Sequence, residues 1–287
     1  MDMNNSKGQS ESKRSIIDNE DTIFHYTNIN VAIENILYEK RLKFSRGANT
    51  NDPREYRKWI FEPHMDGTVC TSEEFFREWS EAEERVNQVI LDYKFTCFCA
   101  NKFLDREKSL NILEDDQTIL PGYNRLRMWA QYGQGFHGVC IAFSAGSLQE
   151  RLFELLGEKA IVHAKCVHYN KELEINDRAL SDCEANDYMG KNKRKWATKF
   201  VRDHAERIFL SKHVDYQDES EYRIVAHDPK DLCEYVDITN CIGAVLLGDR
   251  TPQVYHGVVK DLCNDMNIEC KKIEWQRGRL QLKDVEF

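Results

Sequence analysis

The chain has 287 residues, enough for one large domain or two small ones with a sizeable buried core. Forty Lys and Arg against forty-nine Asp and Glu leave a net charge of −9, and 41% hydrophobic with 31% charged residues is a folded, globular composition rather than a disordered one. The acidic balance argues against whole-surface attraction to DNA or anionic lipid, so any nucleic-acid site has to be a local basic groove.

Residues 1–20 are polar, without an apolar period, and are expected to form a flexible tail ahead of a single domain spanning 21–287. They contain no signal-peptide core, and no stretch approaches the roughly 20 apolar residues of a membrane helix, so no membrane partner and a cytoplasmic location are expected. Ten scattered cysteines are then expected as reduced thiols. Ile23 and Phe24 open a short strand with His25, Tyr26 and Thr27, after which Asn28 caps an amphipathic helix carrying Val31, Ile33, Ile36 and Leu37. Leu42 and Phe44 alternate with charged residues as a second strand, and residues 47–53 (GANTNDP) are dense in turn formers. Residues 72–89 place Phe75, Phe76, Trp79, Ala82, Val86 and Val89 on one helical face. Further on, 95–100 reads as a strand, 126–132 as a helix, 138–143 as a buried strand, 147–156 as a helix and 161–169 as a strand. A long basic helical region covers 186–210, and 221–226 and 242–247 are strands, the second apolar enough to be central. Strands and helices do not alternate regularly, which favours an α+β class, and no internal repeat divides the chain.

The familiar signatures are missing: no Gly-rich phosphate loop, no GxSxG, no HExxH and no paired CxxC. Cys97 with Cys99, and Cys166 with His168, could assemble a soft metal site, but without the usual spacing no metal is assigned. Four polar clusters remain. The triplet His25, Tyr26, Thr27 is either a satisfied strand end or a ligand contact. Asn51, Asp52 and Pro53 form a turn that is either structural or presented to a ligand. Trp129 and Tyr132 share a helical face, which suits core packing or a site wall. Glu219 and Glu221, two apart at a strand start, point the same way; such a pair must be solvated, paired with a cation such as Arg223, or used.

The order FHYTN, LKFS, NDP, FTCFC, MWAQYG with HGVCIAF, then a lysine, Tyr216, ESEYRIV and IGAVLLG resembles the bacterial domain of unknown function family 2971, over about 23–248. The early HYT and late E-x-E also resemble hallmarks of the ADP-ribosyltransferase-like fold. That likeness implies a mixed, largely antiparallel sheet with helical insertions, and NAD as substrate. It assigns His25 to a ribose hydroxyl and the backbone from Tyr26 to the nicotinamide amide, with Thr27 completing the His-x-Thr form. Tyr132 or Trp129 becomes the stacking aromatic, while Glu221 stabilises the oxocarbenium-like transition state and Glu219 orients or deprotonates the acceptor. Asn51 and Asp52 are expected at the cleft rim, with Arg46 on the pyrophosphate. Here Tyr216 replaces the family's usual tryptophan before the acidic pair, and Thr96 alone is polar in the middle strand. The implied function is NAD-dependent ADP-ribosyl transfer to a nucleic acid or protein, in a toxin or phage-defence effector that a partner protein could silence. The alternatives are a nucleotide-sensing module of the same fold without turnover, and a nuclease using His25 with carboxylates. The basic run 191–195 is either a solvated helix face or a groove for nucleic acid.

Overall fold

The structure, a computed structural model, describes residues 17, 19, 21–47, 58–59, 73–103, 119–171 and 192–286. Strand β1 (Thr22–Thr27) leads through Asn28, whose Oδ1 accepts from the Val31 amide at 2.9 Å, into α1 (Ile29–Val31). Then follow a π-helical segment (Ala32–Tyr38), β2 (Arg41–Lys43), α2 (Glu73–Ile90), β3 (Tyr93–Ala100), β4 (Lys102–Phe103), β5 (Ile119–Leu120) and α3 (Leu126–Gln131). Next come β6 (Val139–Ser144), α4 (Ala145–Leu156), β7 (Val162–Cys166), β8 (His168–Asn170), α5 (Lys193–Asp203), α6 (Ala205–Phe209) and β9 (Ser211–His213). A 3-10 turn (Val214–Glu219) precedes β10 (Glu221–His227), β11 (Tyr235–Asp237), β12 (Ile242–Leu247), α7 (His256–Asp265) and the hairpin β13 (Glu269–Gln276) and β14 (Arg279–Asp284).

Eight strands form one sheet in the order β14-β13-β12-β6-β1-β3-β10-β7. Within this sheet every pairing is antiparallel except β12 with β13, which α7 joins by a crossover, so the chain is α+β around a mixed sheet. The pairing of β1 with β3 covers only Ile23 with Ala100 and Phe24 with Cys99. Beyond that point Ser45 takes the edge of β3 through a bridge to Phe95, and the sheet is split there.

Phe24, Cys99 and Glu221 stand in one row across β1, β3 and β10, so their side chains share a face. That first face holds Phe24, Tyr26, Cys140, Ala142 and Leu246 beneath Met128 and Trp129 of α3, and further along Phe95 and Val225 beneath α2, α5 and α6. The second face holds Ile23, Phe98, Ile141, Phe143, Ile224 and Val245 beneath the π-helical segment, α4 and α7. Apolar residues bury on both faces because helices cover both.

Several elements differ from the sequence reading. The segment after Asn28 widens into a π-helix, whose longer turn brings Ala32 to the core with Ile36 and Leu37 and leaves Ile33 partly buried. The strand expected over 161–169 divides at Val167, and the described part of the basic helical region breaks at His204. Ile17, inside the expected tail, is 3% exposed and packs with the core of the first face. Lys193 of the basic run lies 3.0 Å from Glu78 and 2.6 Å from Glu81, so it clamps α5 to α2.

Gly138 and Gly248 admit no side chain. A Cβ on Gly138 would overlap the Thr27 carbonyl oxygen, and one on Gly248 the Phe136 carbonyl oxygen, whereas Gly146 in α4 faces open space. Gly138→Ala should therefore lower stability by about 1–3 kcal/mol, and Gly146→Ala should raise it by about 0.5–1 kcal/mol. Denaturant melts of the two variants beside the parent check the opposite signs.

Candidate functional site

The first face carries a buried ionic cluster at the start of β10. The 3-10 turn begins with the His213 ring accepting from the Asp215 amide at 3.3 Å and ends at Ser220, whose φ of 44° reverses the chain into the strand. The Ser220 carbonyl accepts from the Ala100 amide at 2.8 Å, which ties the reversal to β3. Glu219 thus comes from a turn and Glu221 from a strand, yet both reach one lysine. Lys212 of β9 donates to Glu219 Oε2 at 2.7 Å and to Glu221 Oε2 at 2.9 Å. Arg223, two residues along the same face of β10, donates from Nε to Glu221 Oε1 and from Nη2 to Oε2 at 3.2 Å. Its Nη1 donates to the Phe209 carbonyl at 2.7 Å, and its guanidinium lies 4.9 Å from the Phe95 ring centre. Tyr132 donates to Glu219 Oε1 at 3.0 Å, and the Tyr216 ring lies 4.6 Å from the Lys212 ammonium. The Glu221 amide donates to the Tyr169 hydroxyl at 2.8 Å.

Burial would push the Glu221 carboxyl up, but Arg223 and Lys212 outweigh it and hold it at about 2. Burial likewise opposes the charged form of Lys212, and Glu221 and Glu219 overcome it, raising the ammonium well above its usual range. Tyr132 is pushed up by burial and then by Glu219, so its phenol is neutral and donates. Glu221 is therefore a fixed negative charge at neutral pH, and neither it nor Lys212 is poised to exchange a proton.

The other expected residues fare differently. His25 follows Phe24 in the pleat, so its side chain leaves from the opposite face to Glu221. Its ring stands edge-on to Phe98 and makes a 3.1 Å hydrogen bond with the Cys97 carbonyl oxygen. The expectation that His25 and Glu221 face one cleft is corrected on that ground; Thr27, two residues on and buried, leaves from the same face as His25. Tyr26 is on the face of the cluster, but its hydroxyl is committed to the Gly122 carbonyl at 2.7 Å. Trp129 is core rather than a stacking platform: it is fully buried, donates to the Tyr123 carbonyl at 2.8 Å and stacks on Phe136. Arg46 pairs with Asp231 at 2.9 Å, beside Ser45 and Phe95, so it sits roughly 13 Å along β3 from Cys99 rather than at the cluster. Asn51 and Asp52 lie outside the described residues. Cys97 and Cys99 face the cluster while Cys166, opposite Tyr222, faces the other side. Among the described residues no three His, Cys, Asp or Glu gather as metal ligands. Lys212, Tyr169 and Arg125 join the cluster without having been singled out for a role; the only signal was that two nearby glutamates require cations.

Residues 128–224, a segment that contains Tyr132, Lys212, Glu219 and Glu221, match the model of a family described as protein of unknown function (DUF2971). No curated protein and no solved structure matches the chain.

Glu221→Gln leaves Lys212 and Arg223 buried with one carboxylate between them, and should cost on the order of 3 kcal/mol at pH 7. The folded carboxyl, near 2, lies below its ordinary value of 4.5, so its stabilisation is complete above 4.5 and is lost as pH falls through about 2. Melts from pH 7 to pH 2 should show the parent losing part of its advantage over Glu221→Gln across that window.

Proposed function

We propose that the chain binds a ribose-containing nucleotide, NAD foremost, on the face carrying Tyr132, Glu219 and Glu221, as a nucleotide-sensing module of ADP-ribosyltransferase-like fold. The observation that carries this reading is the pair of carboxylates fixed by one lysine. Carboxylates accept hydrogen bonds, and the adjacent hydroxyls of a ribose are paired donors that match them. Tyr132, half-buried at the same place, supplies a ring edge or face for the base or nicotinamide. Binding without turnover is favoured because Lys212 and Arg223 both donate to Glu221 and offset its charge. A carboxylate already neutralised by two cations has little field left for an oxocarbenium centre.

ADP-ribosyl transfer is the second reading, with a nucleic-acid or protein acceptor and the toxin or defence role that goes with it. It is favoured by the convergence of Tyr132 with Glu219 and Glu221, and by the placing of β1 and β10 on either side of β3 where the sheet splits. His25, on the opposite side from Glu221, argues against it and against the nuclease alternative alike.

Calorimetry with NAD and an assay of nicotinamide release, run on one preparation, test both readings. The expected result is saturable NAD binding without release above background. Tyr132→Ala should weaken binding by roughly tenfold, and Tyr132→Phe by less, since the ring rather than the hydroxyl makes the stacking contact. Release of nicotinamide that falls about a hundredfold or more in Glu221→Gln, with binding preserved, would replace sensing by transfer. Absence of binding by both NAD and ADP-ribose at millimolar concentration would sink the ribose reading.

A further inference from the structure

Arg125 stands at the start of α3 and is only 8% exposed. Its Nη1 donates to the Asp218 carbonyl at 3.3 Å and its guanidinium reaches the Cys99 thiol, while Nε and Nη2, both buried, meet no oxygen acceptor. A guanidinium almost never stays buried with two donors unmet. The acids nearby do not meet them. Glu219 accepts from Tyr132 and Lys212, and the Asp218 carboxylate is exposed beside Arg127 at 3.7 Å. Three buried cations, Arg125, Lys212 and Arg223, stand against two buried carboxylates, Glu219 and Glu221, so the wall carries one positive charge more than it balances.

The segment that presents Arg125 is held down along its length. Gly122 donates to Asn101 Oδ1 at 2.8 Å and packs against Phe24 and the Cys99 carbonyl too closely to carry a side chain. The Tyr123 carbonyl accepts from Trp129, and the Cys99 thiol donates to the Glu219 carbonyl at 3.1 Å. An anion received by Arg125 would therefore sit next to the carboxylate pair. The two unmet donors, Nε and Nη2, lie along one edge of the guanidinium, the fork that takes two oxygens of a single phosphate.

We infer that Arg125 anchors a phosphate group of the ligand, so that the face selects a nucleoside phosphate or diphosphate over a free nucleoside or a neutral sugar. The inference rests on the ribose reading above for the neighbouring half of the ligand, and on Arg125 alone for the phosphate.

Three probes separate these parts: inorganic pyrophosphate, ADP-ribose and nicotinamide riboside, each titrated calorimetrically and by thermal shift. Pyrophosphate should bind the parent, ADP-ribose should bind more tightly, and nicotinamide riboside at least tenfold more weakly than ADP-ribose. Arg125→Gln should weaken pyrophosphate and ADP-ribose at least tenfold without lowering the melting temperature of the unliganded protein, because it removes a charge that nothing balances. Arg125→Lys keeps the charge and loses the fork; it should fold and still bind pyrophosphate at least fivefold more weakly. Lys199→Gln, at an exposed position of α5, should leave all three affinities unchanged. Pyrophosphate and ADP-ribose affinities that are the same in Arg125→Gln, Arg125→Lys and the parent, or a parent that binds neither probe at millimolar concentration, overturn the inference. Pyrophosphate binding that needs Arg125 but gains nothing from the attached ribose would leave the phosphate anchor standing and remove the ribose reading.

Discussion

The cluster depends on one ammonium group. Lys212 lies between Glu219 and Glu221, and without it two carboxylates would face each other in a setting that excludes most water. Around it the chain brings together β9, a 3-10 turn, β10, the hydroxyl of Tyr169 from β8 and the Phe209 carbonyl that ends α6. Each of these would be a loosely held connection by itself. Buried ion pairs are costly to assemble and more costly to break, so such a network fixes geometry more than it adds stability. That suits a site whose polar atoms have to be in place before a ligand arrives.

A second constraint is the split between β1 and β3. Two residue pairs join them, and Ser45 then replaces β1 as the partner of β3. The Thr96 hydroxyl donates to the Lys43 carbonyl at the same place, so the segment after β2 is fastened into the gap. His25 stands at the fork, with its ring turned to the Cys97 carbonyl, and burial holds its pKa down. A neutral imidazole bonded to backbone is a strand-end lock, one of the two roles its sequence allowed.

Much of the architecture was legible because it is local. The pattern of Trp79, Ala82, Val86 and Val89 gives α2, and the apolar run 242–247 gives β12 in the interior of the sheet. The site was harder for a definite reason. Alternation shows that His25 and Tyr26 leave opposite faces of β1, but which of them shares a face with Glu221 depends on the register of β3 against both neighbours, set by residues far apart in the chain. Glu219 and Glu221 do point the same way as expected, though through the left-handed backbone at Ser220 rather than through strand alternation. The hairpin of β13 and β14 passed unread although its turn is signalled: Arg277 and Gly278, with φ of 50° and 79°, form a two-residue loop between alternating strands.

The place of β1 has a consequence for how the molecule is made. It lies inside the sheet, with β6 and β3 on its two sides, and nearly all of its side chains are buried. Yet it is translated before either neighbour, and its Tyr26 hydroxyl waits for a carbonyl 96 residues downstream. During synthesis a sticky, unpaired ribbon therefore precedes both strands that pair with it. Such non-local closure is slow and leaves the nascent chain open to wrong pairing, so this protein should draw on chaperones until β6 has emerged.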